Sequence, residues 1–234
     1  MAGDRDPKMS LTAEFGDDPV VSSNIMAAMT AVPRNVILVG FMGAGKSTVG
    51  RLLARRLGRC FVETDAMITA REGRSIPEIF EARGEPYFRQ LEAEALEALT
   101  DKRDHVVATG GGFPCAPGAM DRLLQLGTVV WLAADFEAVY ARANRLGGRP
   151  MLNGRSADDA AALYQVRQEV YRRAHLALDT TRMTVDAVVA RIVRHLRERE
   201  RSAGRPDTSS EAPGQGTRPA DLTAGVGERR DGEG

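Results

Sequence analysis

Two rhythms of apolar residues alternate along the chain. Short apolar runs, the first four containing β-branched residues, at Val36-Ile37-Leu38-Val39, Cys60 to Thr64, His105 to Thr109, Thr128 to Leu132 and Leu176-Ala177-Leu178, read as strands. Between them apolar positions recur at helical spacing over Thr48 to Leu57, Glu85 to Leu99, Ala116 to Leu126, Phe136 to Arg145, Ala157 to Ala174 and Val185 to Arg199. A shorter helical piece begins at Ser75, a capping hydroxyl followed by Pro77 in the first turn. Alternating strands and helices predict an α/β fold, a parallel sheet covered on both faces. Sites in such sheets form at the carboxyl ends of strands, so the segment after each strand is where chemistry is expected.

The first of these segments is the most informative. Gly40-Phe41-Met42-Gly43-Ala44-Gly45-Lys46-Ser47-Thr48 fits the pattern G-x-x-x-x-G-K-[ST], and it stands between a buried strand and a helix. Glycines let the backbone curl so that successive N–H groups face one hollow, to which the following helix adds the positive end of its dipole. The hollow predicts a bound polyphosphate over Gly43 to Thr48, with Lys46 reaching the β- and γ-phosphates and the Ser47 hydroxyl taking a Mg²⁺ position. Asp65 and the triplet Gly110-Gly111-Gly112 also follow predicted strands, so three segments are expected to converge on one crevice.

Composition narrows the domain and its partners. Residues 1–33 lack sustained periodicity and 201–234 are polar, Gly- and Pro-rich; both are expected to be disordered extensions flanking one domain over 34–200. Met26 and Met29 precede the first strand and offer alternative translation starts. The 43% apolar content suffices for a core, and the net charge of zero argues against nucleic acid or an anionic membrane as partner. No run is apolar enough to span a bilayer and no secretory h-region appears, so a cytoplasmic protein, most simply a monomer, is expected. Cys60 and Cys115 stand alone, without disulfide or zinc spacing. From Leu146 to Asp158 periodicity fails and arginines accumulate among glycines, which suggests a lid.

Six motifs taken in order resemble the shikimate kinase family over residues 34–200. They are the loop Val39 to Gly50; Glu63-Thr64-Asp65, similar to D-[ST]-D; Phe88-Arg89 with Glu92, similar to F-R-x-x-E; Ala108-Thr109-Gly110-Gly111-Gly112; Arg149-Pro150-Met151-Leu152 in the lid; and Arg167 with Tyr171 and Ala174. The resemblance implies a P-loop kinase of the nucleoside-monophosphate-kinase type: a five-stranded parallel sheet, a lid, and ATP-dependent phosphorylation of the shikimate 3-hydroxyl with Mg²⁺.

On this resemblance Arg89 and Arg167 hold the substrate carboxylate, a pairing suited to the guanidinium fork. Asp65 accepts hydrogen bonds from the substrate hydroxyls and orients or deprotonates the attacking one. Gly110, Gly111 and Gly112 allow close backbone approach. Lys46 and Arg149 spread the charge of the transferred phosphoryl, and Arg142 packs on the adenine. Glu92 either orients Arg89 or meets substrate. Glu63 replaces the family's first aspartate and reaches one methylene further toward a Mg²⁺-bound water. Another small-metabolite kinase, such as one for gluconate, and a non-catalytic ligand sensor are the alternative readings.

Overall fold

A computed structural model describes residues 35–146 and 156–203. Five parallel strands form one sheet in the order β2-β3-β1-β4-β5: β1 Asn35–Val39, β2 Cys60–Glu63, β3 His105–Ala108, β4 Gly127–Ala133 and β5 Leu176–Asp179. All five residues of β1 are buried, as a central strand covered on both faces requires, whereas the edge strands β2 and β5 are largely part-exposed. Asn35 fixes the sheet's lower end. Its buried amide donates to the carbonyls of Lys102 (2.8 Å) and Leu126 (3.1 Å) and accepts from the N–H of His105 (2.9 Å), so three strand starts share one side chain.

The helices are α1 Lys46–Leu57, α2 Thr64–Glu72, α3 Ile76–Leu99, α4 Ala119–Leu126, α5 Phe136–Leu146, α6 Ala157–Tyr171 and α7 Val185–Ala203, with a 3-10 turn at Phe113–Cys115. Val49 and Leu53 of α1 are buried against the sheet, and a Cβ at Gly50 would lie 2.5 Å from the Phe61 ring, so this glycine sets how closely α1 approaches β2. Ser75 and Glu78 form the capping box that starts α3. At Gly84 (φ 75°, ψ 178°) that helix breaks into the two pieces expected from the sequence, and Pro86, which lacks an N–H, falls in the first turn of the second.

Two expectations are corrected. The second strand ends at Glu63 rather than running through Thr64, and the nine residues Thr64–Glu72 form α2, a helix the sequence reading omitted. Helix α4 begins at Ala119 instead of Ala116, because Phe113–Cys115 takes the 3-10 turn first. The lid segment with Arg149, Pro150, Met151 and Leu152, and most of both extensions, lie outside the described residues; α7 runs on to Ala203. The chain divides into a unit ending at Leu196 and another from Arg197, whose described part is the close of α7. Among the described residues no helix is long and apolar enough to cross a membrane.

Candidate active site

The loop after β1 takes its shape from its glycines and from Lys46. Gly43 adopts φ +82° and a Cβ there would collide with the carbonyl oxygen of Val139 on α5, so no side chain can replace its hydrogen. Gly45 precedes α1 without any side-chain cap, which leaves the N–H groups of the first turn facing the hollow. Lys46 is buried, and its ammonium donates to the carbonyls of Gly40 (2.8 Å) and Phe41 (2.9 Å), so it lies along the inner wall of the loop. Ser47 donates its hydroxyl proton to Glu63 at the end of β2, and the other oxygen of that carboxylate accepts from Arg51 at 3.1 Å.

A cavity of about 500 Å³ opens beside this loop. Gly43, Gly45, Lys46, Ser47 and Thr48 line one side, Glu63, Asp65, Thr109, Gly110 and Gly111 another, and Arg142 and Arg145 of α5 a third. The ends of β1, β2 and β3 thus meet as the strand pattern implied. Arg145 is an addition: its Nε is turned back on the Ala141 carbonyl at 3.3 Å, one turn along α5 from Arg142. The i,i+3 spacing of these two arginines was the available signal.

The glycine triplet packs against a cluster of charges. Thr64, fully buried at the start of α2, accepts the Gly110 N–H at 2.9 Å and so ties the Asp65 segment to the triplet. A Cβ on Gly110 would strike the Asp65 carboxylate. One on Gly112 would lie 2.9 Å from Arg89 Nη1 and 3.1 Å from Arg167 Nη2. A side chain at either glycine would therefore displace the charged groups packed against it. Tyr171, one turn beyond Arg167 on α6, donates to the Gly111 carbonyl at 2.5 Å.

The two arginines differ in state. Arg167 is only 4% exposed, its guanidinium lies 5.7 Å from the Phe41 ring centroid, and its buried Nη1 has no hydrogen-bond partner among the described residues. Arg89 is engaged, donating to Glu92 (2.6 Å) and to Glu85 (2.6 Å and 3.2 Å). Burial opposes the Arg89 charge, but the bonds to Glu92 and Glu85 outweigh it and hold its pKa above the usual value. Burial pushes the Glu92 carboxyl up; Arg89 restrains that rise, the Asp65 charge adds to it and Arg167 lessens it. Glu92, Asp65, Arg89 and Arg167 therefore belong to one electrostatic cluster. Arg149 lies outside the described residues.

A phosphate loop beside a nucleotide-sized hollow at the strand ends of a five-stranded parallel sheet is the arrangement of a P-loop phosphotransferase. Comparison with known proteins gives the family. The profile described as shikimate kinase matches residues 42–197. The shikimate kinase of Geobacter sulfurreducens is 46% identical over 168 residues, covering 71% of this chain and 93% of that protein. That of Moorella thermoacetica is 43% identical over 162 residues, 69% of this chain and 93% of its own length. Among solved structures, shikimate kinase from Acinetobacter baumannii in complex with shikimate gives a TM-score of 0.69 at 36% identity, covering 74% of this chain and 97% of that one. The Aquifex aeolicus shikimate kinase structure gives 0.65 at 37% identity, with 71% and 98% covered. The chain belongs to the shikimate kinase family, and its activity is ATP-dependent phosphorylation of shikimate.

Proposed function

We propose that the γ-phosphoryl of ATP passes directly and in line to the 3-hydroxyl of shikimate, with no covalent enzyme intermediate. The observation that carries this reading is the Arg167 guanidinium, 4% exposed and with an unpartnered Nη1, set against the glycine floor beside Asp65. A buried guanidinium nitrogen without a hydrogen-bond partner is costly, and a substrate carboxylate would satisfy it. Arg89 would supply the second contact to that carboxylate by sharing the donors now given to Glu85, while Glu92 keeps the guanidinium in place. Asp65 would accept the attacking hydroxyl's hydrogen bond and take its proton, and Gly110 to Gly112 would let the ring lie against the backbone.

On the nucleotide side Gly43 to Thr48 would hold the phosphates, Arg142 the adenine, and Lys46 with Arg149 the charge on the transferred group. The hydroxyl of Ser47 and carboxylate of Glu63 are hard oxygen donors at the phosphate hollow, and they suit Mg²⁺. Among the described residues no group of three or more His, Cys, Asp and Glu side chains is placed to hold a metal ion. Bound there, Mg²⁺ would supply positive charge to offset that of the phosphates. Ser47 would ligate it directly and Glu63 through water. The enzyme is read as a cytoplasmic monomer without nucleic-acid or membrane partners, supported by its zero net charge and the size of one domain.

Asp65→Asn tests the central role, because the amide keeps the shape and most hydrogen bonds but takes no proton. The expected result is a fall in kcat of about 10²–10⁴, with shikimate binding by calorimetry changed far less. A variant that binds shikimate normally and turns over at the wild-type rate would remove Asp65 from the chemistry.

A further inference from the structure

We propose that Arg51 is a positioning residue for the metal side of the phosphate site and acts through Glu63. The inference rests on the assignment of Ser47 and Glu63 to Mg²⁺ made above. Ser47 and Arg51 stand one turn apart on α1 and both reach Glu63: the hydroxyl of Ser47 donates to one carboxylate oxygen and Arg51 Nη2 donates to the other at 3.1 Å. Arg51 is itself held, its guanidinium 5.2 Å from the ring centroid of Phe61, the residue two before Glu63 on β2.

This arrangement matters because of what a hydroxyl can do. It has one proton and two lone pairs, so a Ser47 that gives its proton to Glu63 presents its lone pairs to a cation. Glutamate has one more rotatable bond than aspartate, and its carboxylate could swing away from Ser47 or toward the metal. Arg51 fixes the second oxygen and removes that freedom. Mg²⁺ demands near-ideal octahedral geometry and gives up water reluctantly, so such a swing changes its affinity. The charge of Arg51 itself counts for less, because the side chain is 56% exposed and its field is screened. Positioning therefore sets the sign: loss of Arg51 weakens Mg²⁺-dependent nucleotide binding, whereas simple repulsion between two cations would strengthen it.

The test is calorimetric titration of the full chain with ADP over a series of Mg²⁺ concentrations, without turnover. In Arg51→Gln the Mg²⁺ concentration at half-maximal enhancement should rise by about three- to tenfold, less than the roughly 10- to 100-fold typical of direct partners of a metal ligand. ADP affinity without Mg²⁺ should stay within about twofold. Arg51→Lys should recover part of the loss, and Arg51→Gln should add nothing in a Glu63→Gln background. An unchanged or lowered midpoint in Arg51→Gln, or an equal effect when Glu63 is already Gln, overturns the proposal. Ser47→Ala separates the two layers. If it leaves the Mg²⁺ dependence unaltered, the metal assignment falls and this inference with it; if it shifts the dependence while Arg51→Gln does not, only the role of Arg51 falls. Thermal melts verify folding, and Arg51→Lys, which keeps the charge and loses the fork, carries the test should Arg51→Gln fail to fold: a midpoint unchanged from wild type would then count against the proposal.

Discussion

Tyr171 donates its phenolic proton to the carbonyl of Gly111 at 2.5 Å, and this bond fastens the helix that bears Arg167 to the floor beside Asp65. Burial pushes the phenol far above its usual pKa, so it remains a donor throughout the working pH range. Tyr171→Phe should cost about 1–2 kcal/mol of stability in urea unfolding. Its shikimate KM should rise while the ATP KM stays near wild type. Equal changes in both constants would mean that the bond supports the fold and not the acceptor site.

Gly110→Ala is a steric experiment with little backbone penalty, since Gly110 is not among the positive-φ glycines. Its Cβ would meet the Asp65 carboxylate. The expected outcome is a folded protein that binds ADP normally but has lost about 10²-fold or more in kcat/KM for shikimate, the scale of a small displacement of a reacting group. Calorimetry and steady-state rates on one preparation provide the check, and an undiminished rate would show that Asp65 has room to move.

Arg89→Ala should expose the strain of Glu92, whose side chain is only 3% exposed. Burial raises the Glu92 pKa and Arg89 opposes that rise, so the variant raises it further. The folded protein then holds a proton that the unfolded chain, with a glutamate pKa of about 4.3, has released, and stability falls as pH climbs through that window. Arg89 is itself 31% exposed, so solvent screening reduces the effect to about 1–3 kcal/mol at pH 7.5, shrinking toward pH 5. Urea midpoints of wild type and variant across pH measure this. A gap that does not change with pH would show that Glu92 is already neutral or finds another partner.

Arg167→Lys keeps a positive charge but loses the planar fork. Bidentate binding of a carboxylate needs that fork, so the shikimate KM should rise by about tenfold or more with the ATP KM nearly constant. A lysine variant with native shikimate kinetics would show that charge alone suffices at this position.

How much of this was legible depended on whether the signal was local. The phosphate loop was readable because its glycines, Lys46 and Ser47 occupy fixed spacings between a β-branched strand and an amphipathic helix. The two helical pieces within α3 were readable from the capping Ser75 and the amphipathic run from Glu85, and the break between them falls at Gly84. Helix α2 was not. Its N-cap is Glu63 with no side-chain cap bond, and Val62-Glu63-Thr64 has strand-like composition; burial of Thr64 and Ile68 favours the helix instead, and that is a tertiary effect. The contact of Glu63 with Ser47 and Arg51 joins residues 12 or more apart in sequence; the family resemblance brought Ser47 and Glu63 to one Mg²⁺, whereas nothing local marked Arg51 as their neighbour. The Arg89–Glu92 pair follows helical i,i+3 spacing and was legible, whereas the approach of the Arg89 guanidinium to Gly112 joins distant segments and was not.

The most direct test of the account is coupled ADP release from purified protein with MgATP, comparing shikimate, gluconate and no acceptor. The predicted result is fast release with shikimate and, with gluconate or no acceptor, the same slow background. Release at equal rates in all three, or none with shikimate from folded protein that binds ATP, would contradict it.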